Sequence, residues 1–315
     1  MSGQILNIGV DVGGTNIKVG LLDECGSILC QKRLATQPEL GPEAVIGNIA
    51  EAVRAVLSER GMKPGQMNSI GIGVPGTTDA DTGIVIYAPN IFWRDVPVGP
   101  MLHSTFGVPV YATQDTRAAA WAEYLVGKGQ GLGSVASITL GTGIGCGLVF
   151  DGKIFHGAMN TAGEFGHQLV EIDGHACNCG RRGCVEAHAG GLAIVRLAKE
   201  RIPNLQELLG KDTVTVDDVY RLSEQGNPQA RKLTDEVVKY VGIGIVNLIN
   251  LTSVEMICLS GGISNAPDAL LLDPLVAFVR SRTYQTVADR VQICRSALGD
   301  NAPLIGASLL FRTRL

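Results

Sequence analysis

The sequence has no long uninterrupted apolar run, no charged and apolar leader at its start, no low-complexity tract and no excess of basic charge. Each absence removes a class of function. Without a run of roughly 20 apolar residues no segment reads as a membrane-spanning helix, and a chain that enters a strand pattern by Ile5 does not open as a secretion signal would. The cytoplasm is the expected location. Its 26 Lys and Arg against 30 Asp and Glu leave a net charge of -4, which gives no general attraction to nucleic acid or to an anionic membrane. Two nucleotide signatures are also missing. There is no Gly-x4-Gly-Lys-Ser/Thr, and no Gly-x-Gly-x-x-Gly makes a good strand-linked dinucleotide fingerprint, so a P-loop NTPase and a dehydrogenase are both disfavoured.

What is present is a globular composition, 45% hydrophobic and 18% charged, in 315 residues, enough for two domains of ordinary size. The chain also repeats itself. Asp11-Val-Gly13-Gly14-Thr15-Asn-Ile-Lys18-Val-Gly20-Leu returns in altered form as Leu140-Gly141-Thr142-Gly143-Ile-Gly-Cys-Gly147-Leu. Each copy lies between short apolar runs, Ile5 to Val10 before the first and Val135 to Leu140 before the second, and reads as a β-hairpin with a glycine-rich bend. Glycines let backbone N–H groups approach phosphate oxygens, and Thr15 and Thr142 add hydroxyl donors. Taken alone, either bend reads equally as an ordinary tight hairpin. Asp11 would repel bare phosphate, so next to a phosphate loop it is a candidate to organise Mg²⁺ through water.

Between and after the hairpins, helical and strand patterns alternate, which argues for an α/β architecture. Val45, Ile46, Ile49, Val53, Val56 and Leu57 recur at helical spacing, ending before Gly61. Strands are expected at 69–74, running into Pro75-Gly76, and at 108–112, before Gln114-Asp115, with a helix at about 116–126. Downstream, the sequence predicts a long apolar helix over 233–251, weakened by Gly242 and Gly244, and strands at 255–260 and 291–294. Asn301-Ala-Pro303 reads as the cap and proline start of a terminal helix.

Of the eight cysteines, Cys25, Cys30, Cys146, Cys258 and Cys294 are scattered in or beside apolar runs. The other three, Cys177, Cys179 and Cys184, follow His167 closely, and this set of one histidine and three cysteines matches the ligand number and type of a structural Zn²⁺ site. A local disulfide is the competing reading.

At this point the chain resembles the ROK family of sugar kinases and sugar-responsive regulators over nearly its whole length. The resemblance is carried by Asp11 to Thr15, Val74-Pro-Gly76, Pro89-Asn90, the Asp115 segment, Leu140 to Gly147, Glu164-Phe-Gly-His167, the three-cysteine motif ending at Glu186, and Ser260-Gly261-Gly262. It implies the duplicated actin-like, hexokinase-like (ribonuclease H-like) two-domain fold, with sugar and ATP meeting in an interdomain cleft. The expected division is a smaller domain of residues 1–115 plus 300–315 and a larger one of 116–299. By resemblance Asp115 is the general base. Asp11, Gly13, Gly14, Thr15, Lys18, Gly141, Thr142, Gly143, Gly261 and Gly262 face ATP and Mg²⁺, and Gly76, Asn90, Gln114, Asp115, Glu164, His167 and Glu186 face the sugar. A Pro-Asn turn for Asn90 and solvated surface glutamates for Glu164 and Glu186 are the plainer readings.

The implied activity is an ATP-dependent hexose kinase, glucose first, with N-acetylmannosamine, allose or fructose as alternatives, in a homodimer or homotetramer. The chain departs from the common Asn-Asp-Ala-Asn pattern at Gln114-Asp115-Thr116-Arg117, which puts the sugar in doubt and motivates a non-catalytic sugar-binding alternative. Arg117 reads as a helix-surface salt bridge, or else as support for an acidic partner. Regulators of the family carry a DNA-binding domain before the sugar-binding region. With the phosphate motif starting at Asp11, no room for one is expected.

Overall fold

The computed structural model describes residues 5–314. In chain order β1 (Leu6–Val12), β2 (Asn16–Asp23) and β3 (Ile28–Ala35) lead to α1 (Pro42–Glu59), β4 (Ser69–Val74), β5 (Thr77–Asp79), β6 (Ile84–Ala88), β7 (Trp93–Val96), α2 (Val98–Phe106), β8 (Val110–Gln114) and α3 (Asp115–Leu125). Then come β9 (Ser134–Leu140), β10 (Ile144–Phe150), β11 (Lys153–Ile154), α4 (Val185–Ala189), α5 (Gly191–Arg201), α6 (Leu205–Leu209), α7 (Val216–Glu224) and α8 (Pro228–Thr252). The chain finishes with β12 (Met256–Ser260), α9 (Leu272–Arg280), α10 (Gln285–Ala288), β13 (Gln292–Arg295) and α11 (Ala302–Ser308).

The two five-stranded sheets carry the repeat. Their orders are β3-β2-β1-β4-β8 and β11-β10-β9-β12-β13, so each glycine hairpin is followed by two later strands in the same positions. In the first sheet β1 and β2 are antiparallel, while β4 and β8 run parallel to β1. A three-stranded sheet, β5-β6-β7, which the sequence reading passed over, holds Pro89-Asn90 in the turn between β6 and β7.

Two compact units divide the chain. One takes the described residues through Ser137, Gly147–Gly163 and those from Ser296 onward; the other takes Ile138–Cys146 and Glu164–Arg295. These units are built from more segments than the two-part division read from the sequence. In the first, Ile8, Val10 and Val12 of β1, every residue of β4 and the apolar face of α1 are buried in one core, each large aliphatic contributing about 1.5–3 kcal/mol. α11 packs on α3, β1 and β4.

In the second unit the long helix α8 has its two glycines where rings need room. A β-carbon on Gly244 would lie 2.6 Å from the Phe165 ring, and one on Gly242 would lie 2.5 Å from that of Phe278. Gly244 thereby seats the Glu164–His167 segment directly on α8.

Three element boundaries differ from expectation for local reasons. β8 starts at Val110 because Pro109 has no N–H to offer the ladder and contributes only its carbonyl, which accepts from the Ile70 N–H at 3.0 Å. α8 begins five residues before its apolar stripe because the Asn227 side chain accepts from the Ala230 N–H at 3.0 Å and Pro228 starts the first turn. Asn301, by contrast, does not cap α11. Its backbone is already helical, at φ -95° and ψ -5°, because the helix grows out of a preceding 3-10 turn.

Candidate active site

Sheet register brings the first set of site residues to one edge. Asp11 pairs with Lys18 across the hairpin and with Gly73 of β4, and Gly73 pairs with Thr113 of β8. Asp115, two residues further on, therefore opens α3 at the same carboxyl-terminal edge, the side of a parallel sheet where ligands bind. Its Oδ1 accepts from the Thr116 N–H at 2.7 Å. The preceding Gln114 is 9% exposed, and its Oε1 is buried with no hydrogen-bond donor among the described residues.

Asp11 is 16% exposed and stands 3.8 Å from Lys18 Nζ, which also donates to the Asp300 carbonyl. Burial first, then the neighbouring Asp115, pushes the Asp11 carboxyl up to about 7, with Lys18 opposing and Asp300 adding to the rise. The bend beyond it is closed by the Gly13 N–H to the Asn16 carbonyl at 2.9 Å, and Thr36 steadies it by donating its hydroxyl to the Gly13 carbonyl at 2.7 Å. Gly14 and Thr15 form the exposed tip, with Asn90 close by: a β-carbon on Gly14 would lie 3.7 Å from the Asn90 carbonyl. Asn90 is thus an exposed residue of the tight Pro-Asn turn and lies beside the glycine loop. Gly76 stands between β4 and β5 with φ +97°.

The second bend belongs to the other unit and closes differently, by the Gly141 N–H to the Gly143 carbonyl at 3.0 Å. The echo therefore holds for the hairpins and not for the bond that closes each bend. Here Glu186 of α4 enters the loop, accepting from the Ile144 N–H at 2.8 Å. Gly143 makes that possible, since a β-carbon there would sit 2.5 Å from Glu186 Oε2. The start of α5 fastens the same loop through Gly191 N–H to the Gly141 carbonyl at 2.9 Å and Leu192 N–H to the Thr142 carbonyl at 3.2 Å. Gly261 and Gly262 follow β12, whose last residue, Ser260, lies 3.2 Å from Thr139 of β9, hydroxyl to hydroxyl.

His167, Cys177, Cys179 and Cys184 converge, their ligand atoms all within 4.8 Å of one another. Cys177 Sγ lies 3.7 Å from His167 Nδ1, and Cys179 Sγ 3.7 Å from Cys184 Sγ. In a tetrahedral site with Zn–S near 2.3 Å the sulfurs stand about 3.8 Å apart, so these spacings suit zinc and exceed the roughly 2.05 Å of a disulfide. Glu164 Oε2 is 3.9 Å from His167 Nε2, the ring nitrogen turned away from the sulfurs.

Comparison with known proteins gives the family. The ROK family profile matches residues 7–314. A glucokinase of Halalkalibacterium halodurans is 36% identical over 97% of this chain and 94% of its own length. The chain belongs to the ROK family.

Among solved ROK structures, the Streptomyces griseus glucokinase in complex with glucose and AMPPNP is 36% identical, covers 97% of this chain and 98% of its own, and superposes with a TM-score of 0.82. The ROK hexokinase of Thermus thermophilus is 32% identical, covers 97% of both chains, and has a TM-score of 0.81. The duplicated sheet order is that of the actin-like sugar-kinase fold.

Two features of this ROK chain were not read from its sequence. Arg117 is no surface residue: it is 1% exposed, and its Nη2 donates to the carbonyls of Asn160 and Ala162 at 2.8 and 2.9 Å. The expected helix-surface position is wrong because the guanidinium is folded inward onto a loop whose carbonyls no periodicity could locate. His188, 2% exposed, stacks on Tyr240 with ring centroids 4.0 Å apart and lies 3.5 Å from Glu171, which also accepts from the Tyr240 hydroxyl at 3.0 Å. This trio ties α4, the carrier of Glu186, to α8. A histidine two residues after Glu186 was the one sequence signal available, and its partners lie far along the chain.

Proposed function

We propose that this chain is an ATP-dependent hexose kinase that phosphorylates glucose at its 6-hydroxyl, with Asp115 as general base. The observation that carries this reading is the placement of Asp115 and Asp11 at one edge of the first sheet, beside the Gly14-Thr15 tip. The hydroxyl of the sugar attacks the terminal phosphorus of ATP, its proton passes to Asp115 Oδ, the new O–P bond forms and the bridging O–P bond to ADP breaks. A carboxylate of ordinary basicity serves because the hydroxyl becomes acidic only as the bond to phosphorus develops.

Asp11 would organise Mg²⁺ through water, and the bound ion would supply charge neutralisation on the phosphates. Because the Gly13 and Gly141 N–H groups close their own bends, phosphate donors come from the neighbouring positions: Gly14 and Thr15 in one loop, Thr142 and Gly143 in the other. Lys18 serves that loop by holding Asp11 and the Asp300 carbonyl together, and Gly261 and Gly262 receive adenosine. On the sugar side, Gln114 Oε1 is an unmet acceptor of the kind a hydroxyl satisfies, joined by Asn90, Glu164, His167, Glu186 and the turn at Gly76. His167 and the three cysteines would hold zinc, and the bound ion would stiffen the recognition loop without joining the chemistry. The reading extends to a cytoplasmic enzyme that works as a homodimer or homotetramer. Among the described residues no helix is long and apolar enough to cross a membrane.

An ADP-release assay over glucose, N-acetylmannosamine, allose and fructose tests the reading, with glucose expected to give the highest kcat/KM. No sugar-dependent ADP release across the panel would reject it.

The raised Asp11 carboxyl makes a separate prediction. In the unfolded chain it ionises near 3.8, in the folded chain near 7, so its ionisation destabilises the fold increasingly as pH rises between those values, and fully above 7. Asp11→Asn is therefore expected to raise Tm by a few degrees at pH 8 without Mg²⁺ and to change little below pH 4, while kcat falls by about a hundredfold. A lower Tm at pH 8 would contradict the assigned cause.

A further inference from the structure

We propose that Arg117 is a positioning residue for the acceptor sugar, an inference that rests on the hexose-kinase reading above. Arg117 is the third residue of α3, in the same helical turn as Asp115. A cation there faces two penalties: burial removes its hydration, and the positive end of the helix dipole opposes its charge. An apolar side chain would fill the space without either. What the guanidinium supplies is a planar fork, and the loop from His156 to Ala162 meets both of its terminal nitrogens.

Nη2 holds the carbonyls of Asn160 and Ala162, and Nη1 lies 3.4 Å from His156 Nδ1. Burial, and then Arg117 itself, hold the His156 imidazole below its ordinary range, so the ring keeps one lone pair, and Nδ1 accepts from Arg117 in the tautomer with its proton on Nε2. The loop is tightly wound: Asn160 is left-handed at φ +56°, Gly157 and Gly163 at +70° and +94°. Asparagine enters that region at little cost, and here the Asn160 carbonyl is one of the two that Arg117 grips. After Gly163 the chain continues straight into Glu164. One side chain thus ties the turn that carries the base to the loop that leads, in sequence, into Glu164. Lysine carries its three donors on one nitrogen at the end of a flexible stem, so it cannot hold the two carbonyls and reach His156 Nδ1 at once in the fork's fixed plane.

The test is Arg117→Lys, measured beside the wild type for both substrates. The expected result is a folded enzyme whose KM for the hexose rises about tenfold while KM for ATP stays within about twofold. Arg117→Ala provides the second arm: added guanidinium ion should restore the hexose KM toward wild type, and methylammonium should not. An unchanged hexose KM in Arg117→Lys, or equal rises in both KM values, overturns the proposal, as does failure of both variants to fold, which would make Arg117 a residue of the core alone. An inactive wild type would instead reject the kinase reading, and this inference with it.

Discussion

Asp115→Asn is expected to lower kcat by roughly a thousandfold while sugar affinity changes by no more than about threefold. The substitution keeps the shape of the side chain and an oxygen to accept from the Thr116 N–H, so the start of α3 is retained. What is lost is the ability to take the hydroxyl proton. The mutant also removes the like charge that helps push the Asp11 carboxyl up, so the Asp11 value should fall from about 7 toward the ordinary range. Single-turnover phosphoryl transfer and equilibrium glucose binding measure the two effects separately. Turnover comparable to wild type would remove Asp115 as the base; lost sugar binding with intact chemistry would make it a binding residue only.

Removal of zinc should have the next largest effect. Purified protein is expected to carry about one zinc per chain, and a strong chelator, or Cys184→Ser, to lower Tm by about 10 °C. Cys184 and Glu186 are separated by one residue, and Glu186 holds the second glycine loop through Ile144. Loosening the cluster should therefore raise KM for the sugar as well as destabilise the fold. Cys25→Ser, at an exposed cysteine outside the cluster, is the control and should do neither. Protein that contains no zinc and melts unchanged in chelator would sink the metal assignment.

Much of the site was legible because its signals are local. The glycine hairpins, the β4 strand entering Pro75-Gly76, the α3 start at Asp115 and the close spacing of His167 with the three cysteines each lie within a short stretch whose residue types have few other uses. The bend closures were not legible, since Gly13 bonds three residues ahead and Gly141 only two, a difference of backbone torsion that similar sequences do not display. The roles of Gly143 and Gly244 were equally hidden, because the groups that need the space, Glu186 and Phe165, come from elsewhere in the chain.

By itself the sequence determined the α/β class, the internal repeat, the family and the chemical types gathered at the site, because periodicity and closely spaced polar motifs are properties of neighbouring residues. Only the tertiary structure decided that Arg117 turns inward onto Asn160 and Ala162, that His188 and Tyr240 brace α4, and that Asp11 is half-buried beside Asp115, which together push its carboxyl up to about 7. Those outcomes depend on desolvation and on contacts between distant segments, and neither exists until the sheets have assembled.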